Sequence, residues 1–212
     1  MYYYHMTSLD RLVSISKMGL IPRNENNSKL INDEKNKVFF SEGFEGAIAL
    51  FVDFEIVYEN IKEGKSNIID KEIENKVIKS KNLSEYLGQG VYLQFDGAGI
   101  ENERNFENGC TDKTISPEKL SVCILRNKKN DFITFSRFGI IKYMMAQIMP
   151  EQIKYYGAKY MGSPDFNAAT LRIQEKVKKH YAKHEQEIAK YKNNDYFLEY
   201  IPISDFVENF IK

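Results

Sequence analysis

The first quarter of the chain, from Tyr2 to Phe51, constrains the fold most, because strand, helix, strand and helix follow there in that order. Tyr2-Tyr3-Tyr4-His5-Met6-Thr7 is short and aromatic and reads as a strand. After it the period changes. Leu9, Leu12, Ile15 and Met18 recur at helical spacing, giving a helix from about Ser8 to Met18. Thr7 or Ser8 offers an N-cap oxygen, and Asp10 puts a negative charge in the first turn. Gly19 and Pro22 end the helix. Val38-Phe39-Phe40-Ser41 is a second strand, and Gly43 to Phe51 opens a second helix. Side chains at a strand-to-helix junction reach ligands more often than those in mid-strand, which makes His5 a candidate site residue.

Between these units, Asn24 to Lys37 is polar and rich in Asn, a loop by composition. A loop of that length inside one domain suits a lid or a mobile surface connection equally well. Phe44 to Ile61 is apolar over so much of its surface that it predicts a helix buried on more than one side. Asn67 to Lys81 predicts an amphipathic helix, and Leu83 to Leu87 a short one ended by Gly88. Val91 to Phe95 and Ser121 to Leu125 are strands. Between those strands, Ala98 to Lys113 is rich in Asn, Glu and Gly and carries Glu101, Glu103, Glu107 and Asp112. Asp131 to Phe135 either continues the sheet or begins a loop. From about residue 136 the chain is mostly helical. Ser136 caps a helix to Ile148, and Ser163-Pro164-Asp165 starts a long helix to about Lys192. Tyr196 to Ile203 is a strand, with a last short helix capped by Ser204.

Tyr4-His5-Met6-Thr7-Ser8, then Leu12, Ile15 and Gly19-Leu20-Ile21-Pro22, resembles the first motif of the ADP-ribosyltransferase superfamily. The likeness is nearest its poly(ADP-ribose) polymerase-like and DNA-modifying, DarT-like toxin branches. Val38-Phe39-Phe40-Ser41 followed by Gly46-Ala47 is similar to the second motif, an aromatic strand leading into a helix. The resemblance covers about the first quarter of the chain well and the rest loosely. It implies a single α+β domain over residues 1–212, with a split antiparallel β-sheet and flanking helices.

What the resemblance implies chemically is transfer of ADP-ribose from NAD to a protein or nucleic-acid acceptor. His5, helped by Thr7, would bond the adenosine-side ribose. Phe39 would stack on the nicotinamide, with Phe40 as the alternative, and Ser41 would support the fold round the carboxamide. A later Glu holds a ribose hydroxyl before a proline-containing turn. Pro117 fits that turn and Glu107 is the chosen carboxylate, with Asp112, Glu103 and Glu101 still open. Two residues depart from the pattern. Met6 stands where the polymerase-like branch often has Gly, and Phe39 where Tyr is usual. An inactive domain of this fold that binds a nucleotide or a partner is the second reading. An RNA 2′-phosphotransferase ranks lower, because Arg11, Arg23, Arg104, Arg126 and Arg137 are scattered.

Composition narrows the classes. With 212 residues the chain can bury a substantial core. Lys plus Arg (30) equals Asp plus Glu (30), so no global field draws it to nucleic acid or anionic membrane. Cys110 and Cys123 are too few for a disulfide framework and predict a reducing compartment. Met1 runs straight into the tyrosines without the pattern of a signal peptide, and no apolar run reaches membrane length. The expectation is a soluble, cytoplasmic protein with no membrane partner. His180 and His184, four apart, have a metal-binding spacing but no third ligand in the sequence pattern. They are read as plain helix surface, and no metal is expected.

Overall fold

The computed structural model describes residues 1–22, 37–65, 71–100, 108–153 and 166–211. The seven strands among these described residues form one antiparallel sheet, so the α+β class expected from sequence is what the chain adopts. The order is β4 (Asn108–Thr111), β2 (Val38–Glu42), β1 (Tyr2–Ser8), β3 (Gly90–Asp96), β5 (Ser121–Asn127) and β6 (Phe132–Thr134), with β7 (Tyr196–Pro202) on the other edge of β5.

Strand alternation divides the core in two. On one face Tyr4, Tyr92, Cys123 and Leu125 pack under α2 (Gly43–Lys62), α5 (Arg137–Gln147) and α6 (Phe166–Lys183). On the other, Tyr3, Phe40, Leu93, Phe95, Val122 and Ile124 pack against α1 (Leu12–Met18) and α8 (Ile203–Phe210). The helices α3 (Lys71–Lys79), α4 (Leu83–Leu87) and α7 (Glu185–Ala189) complete the first layer.

Three ladders are short, that of β5 with β6 among them. β1 registers with β2 only at Tyr3–Glu42 and Tyr4–Ser41, and β3 with β5 only at Leu93–Val122 and Gln94–Ser121. β1 stays paired with β3 along its whole length, from Tyr2–Asp96 to Ser8–Gly90. The sheet therefore opens between β1 and β2 just where His5 begins.

Several local readings shift. The first helix starts at Leu12, after a 3-10 turn at Leu9–Arg11. Ser8 makes no side-chain cap and Thr7 stays in the strand, because pairing to β3 extends β1 as far as Ser8. Neither Ser136 nor Ser204 caps its helix. Asn82 does cap α4, accepting from the Glu85 N–H at 2.9 Å. Within the Asn-, Glu- and Gly-rich segment, Asn108–Thr111 is an edge strand on β2, with Cys110 opposite Phe39. Gly109 permits this, since a Cβ there would lie 1.9 Å from the Phe40 ring.

The long helix expected to run to Lys192 breaks at His184, where α6 gives way to α7. The His184 N–H is shared between the carbonyls of His180 and Tyr181. The break lets Ile188 enter the core and Glu187 reach Lys142 of α5. Helix kinks follow from such local causes.

Candidate functional site

His5 stands where β1 leaves β2. Its Nδ1 lies 2.7 Å from the Phe39 carbonyl oxygen, so the ring carries on the strand-to-strand contact after the ladder has stopped. A carbonyl oxygen only accepts, hence Nδ1 holds the proton. Nε2 is then an acceptor with no hydrogen bond to the described residues. The side chain is half-buried, and the protein packed round the ring pushes its pKa below 6.5. The Phe39 carbonyl opposes that shift and the nearby Arg11 charge adds to it. The imidazole is thus neutral at pH 7, with one committed donor and one open acceptor.

The other residues singled out from sequence divide between the two faces of the sheet. Thr7, buried, shares the face of His5 and Tyr3 by strand alternation. Phe40 also lies on that face, but it is core: 1% exposed, with its centroid 4.4 Å from Tyr3 and 5.5 Å from Phe95. Phe39, half-buried, and Ser41, buried, lie on the α2 face. There the Ser41 side chain sits close under Gly46, at the start of α2. The structure therefore brings His5 to the backbone of Phe39 and sends the two side chains to opposite faces.

Met6, next to His5, packs against the α2-side core. Asp112 is exposed at the end of β4, on the far side of β2 from β1. Glu101, Glu103 and Glu107 lie outside the described residues, as does the 24–36 part of the polar loop. A shallow depression lined by Gly99, Thr111, Lys113, Ile115, Ser116 and Lys119 contains none of the residues marked by the resemblance.

Two features lie outside the residues that the resemblance marks. Arg137 is 5% exposed and donates from Nη2 to the carbonyls of Leu87 (3.2 Å) and Gly88 (3.1 Å). Among the described residues no carboxylate pairs with it, and its Nε and the buried Tyr92 hydroxyl lack hydrogen-bond partners. Gly90 makes room for this guanidinium, since a Cβ there would lie 2.0 Å from Nη2. The second feature corrects the sequence reading. His180 is not plain surface: it is 6% exposed and hydrogen-bonds Glu55 of α2. Burial alone would raise the Glu55 carboxyl, but His180 and Lys183 overcome it and hold the pKa at about 2. The signal was present, because His180 continues the apolar stripe of Ile173 and Val177 at helical spacing.

Cys110 and Cys123 are buried and form no disulfide, and burial pushes the Cys123 thiol up. No helix among the described residues is long and apolar enough to cross a membrane. Comparison with protein-family models, with curated proteins and with solved structures finds no match.

Proposed function

We propose that the chain is an NAD-dependent ADP-ribosyltransferase that modifies a protein or nucleic-acid acceptor. The observation that carries this reading is the His5–Phe39 contact at the opening between β1 and β2. The Phe39 carbonyl fixes the tautomer and leaves Nε2 able to accept from a ribose hydroxyl. Arg11, close enough to act on His5, supplies positive charge for a pyrophosphate. The resemblance gives Phe39 the stacking role on the nicotinamide, and the Phe39 ring lies on the α2 face, opposite the His5 side chain.

Cleavage of the nicotinamide–ribose bond builds positive charge at the anomeric carbon. Positioning NAD and placing an anion near that carbon are the main catalytic requirements. Glu107 is the assigned carboxylate on the strength of the resemblance. His5 orients the adenosine-side ribose from Nε2, and Thr7 flanks it on the same face.

The second reading, a domain that holds a nucleotide or a partner without turnover, is favoured by one observation. The His5 and Phe39 side chains occupy opposite faces, and the His5 ring bridges to the Phe39 backbone between them, so a ligand bound on one face meets only one of the two side chains. Titration of NAD into the purified chain tests the site itself. Saturable binding is expected, weakened about 10-fold in His5→Ala, the equivalent of one hydrogen bond. Loss of the cooperative thermal transition in that variant would make His5 a structural residue instead.

A further inference from the structure

We propose that Glu55, His180 and His184 form a binding site for one divalent transition-metal cation of the zinc class, joining α2 to the α6–α7 break. This inference does not depend on the transferase reading. The three side chains offer two imidazole nitrogens and a carboxylate oxygen that lie within 4.8 Å of one another. Two nitrogens and one oxygen, with a fourth position left to water, is an established donor set for Zn²⁺. Ca²⁺ and Mg²⁺ take oxygen ligands and are disfavoured.

The local structure aims the donors. His180 and His184 are four apart, and their ring centroids are 4.5 Å apart. His184 Nε2 lies 3.9 Å from Glu55 Oε1, while its Nδ1 lies 3.8 Å from Glu187 Oε1. One nitrogen thus faces the cluster and the other faces a second carboxylate, the arrangement that orients and strengthens an imidazole ligand. The Phe51 ring, in a T-shaped contact with the His180 ring, walls that side at 5.8 Å between centroids.

A cation already competes for this carboxylate. Lys183 Nζ sits 3.1 Å from Glu55 Oε1 and 2.9 Å from Glu59 Oε1. Its side chain is 54% exposed, so it can withdraw to Glu59 when an ion takes Glu55. Metal bonds of about 2.0–2.1 Å set tetrahedral donors roughly 3.3 Å apart. Loading therefore draws the half-buried His184 in by roughly 1.5 Å at most, while the His180–Glu55 hydrogen bond gives way and that pair moves apart.

The test is titration of the metal-stripped full chain with Co²⁺, followed by displacement with Zn²⁺. Expected are one ion per chain, the visible absorption of four-coordinate Co²⁺, and a Tm that rises with Zn²⁺. His184→Ala, at the helix break, should weaken binding by about 100-fold or more and abolish the Tm shift. Glu187→Gln should weaken it by about 10-fold. Lys183→Ala should tighten it by removing the competing ammonium. Failure of the unmodified chain to take up Zn²⁺ saturably overturns the site. So does equal affinity in His184→Ala, which would mean that the ion binds elsewhere.

Discussion

The β1–β2 opening and the α2–α6 contact each depend on a histidine held by one neighbour, and the two neighbours differ. His5 is held by a carbonyl, which fixes the tautomer and leaves a neutral nitrogen available at the opening. His180 is held by Glu55, which Lys183 also engages. The first arrangement adds little stability and leaves an atom available for chemistry. The second places a charged group in a poorly solvated place, where loss of its partner is costly. A histidine's accessibility to a ligand therefore depends on what its other nitrogen contacts, more than on the element that carries it.

Four variants and a pH series probe this contrast, and the aromatic pair on β2 gives the largest effect. Phe40→Ala, a full core deletion, should cost about 4 kcal/mol in denaturant unfolding, whereas half-buried Phe39→Ala should cost about 1 kcal/mol. Equal costs would mean that Phe39 is core and cannot serve a ligand. Next comes His180→Ala, which strips Glu55 of its buried partner and should cost about 3 kcal/mol in the metal-free chain. His5→Ala removes one hydrogen bond and should cost about 1 kcal/mol. Were the two histidine variants equally destabilised, the contrast between carbonyl and carboxylate anchors would fail.

The smallest effect is one of pH. The folded pKa of His5 lies below its ordinary 6.5, so the unfolded chain binds the proton more readily. The stability linked to His5 is complete above pH 6.5 and falls as pH drops from there through the folded pKa. NAD binding should weaken in the same direction, because a protonated Nε2 donates and cannot accept. Comparison with His5→Asn, which does not titrate, isolates the contribution: the acid-side slope should flatten in the variant.

Much of the fold was legible where one pattern decided it. The period change from Tyr4 to Leu12, the apolar density of Phe44 to Ile61 and the run Val91 to Phe95 all became the elements they predict. Sequence could not show how the faces divide. Phe39 and Phe40 look alike as neighbours, yet alternation in β2 commits Phe40 to the core with Tyr3 and Phe95. Asn108 to Thr111 has weak strand propensity and is a strand because β2 offers it an edge. His180 was misread because a Lys- and Glu-rich helix suggests surface. Glu55, 125 positions earlier, supplies the partner that no local pattern reveals.

The most direct test of the account is release of free nicotinamide from NAD by the purified chain, with protein and nucleic-acid acceptors present. The account predicts release, cut by about 100-fold or more in Glu107→Gln. NAD affinity in that variant should be nearly intact. A chain that neither releases nicotinamide nor binds NAD saturably would contradict the account at its centre, because the open nitrogen of His5 would then serve no nucleotide.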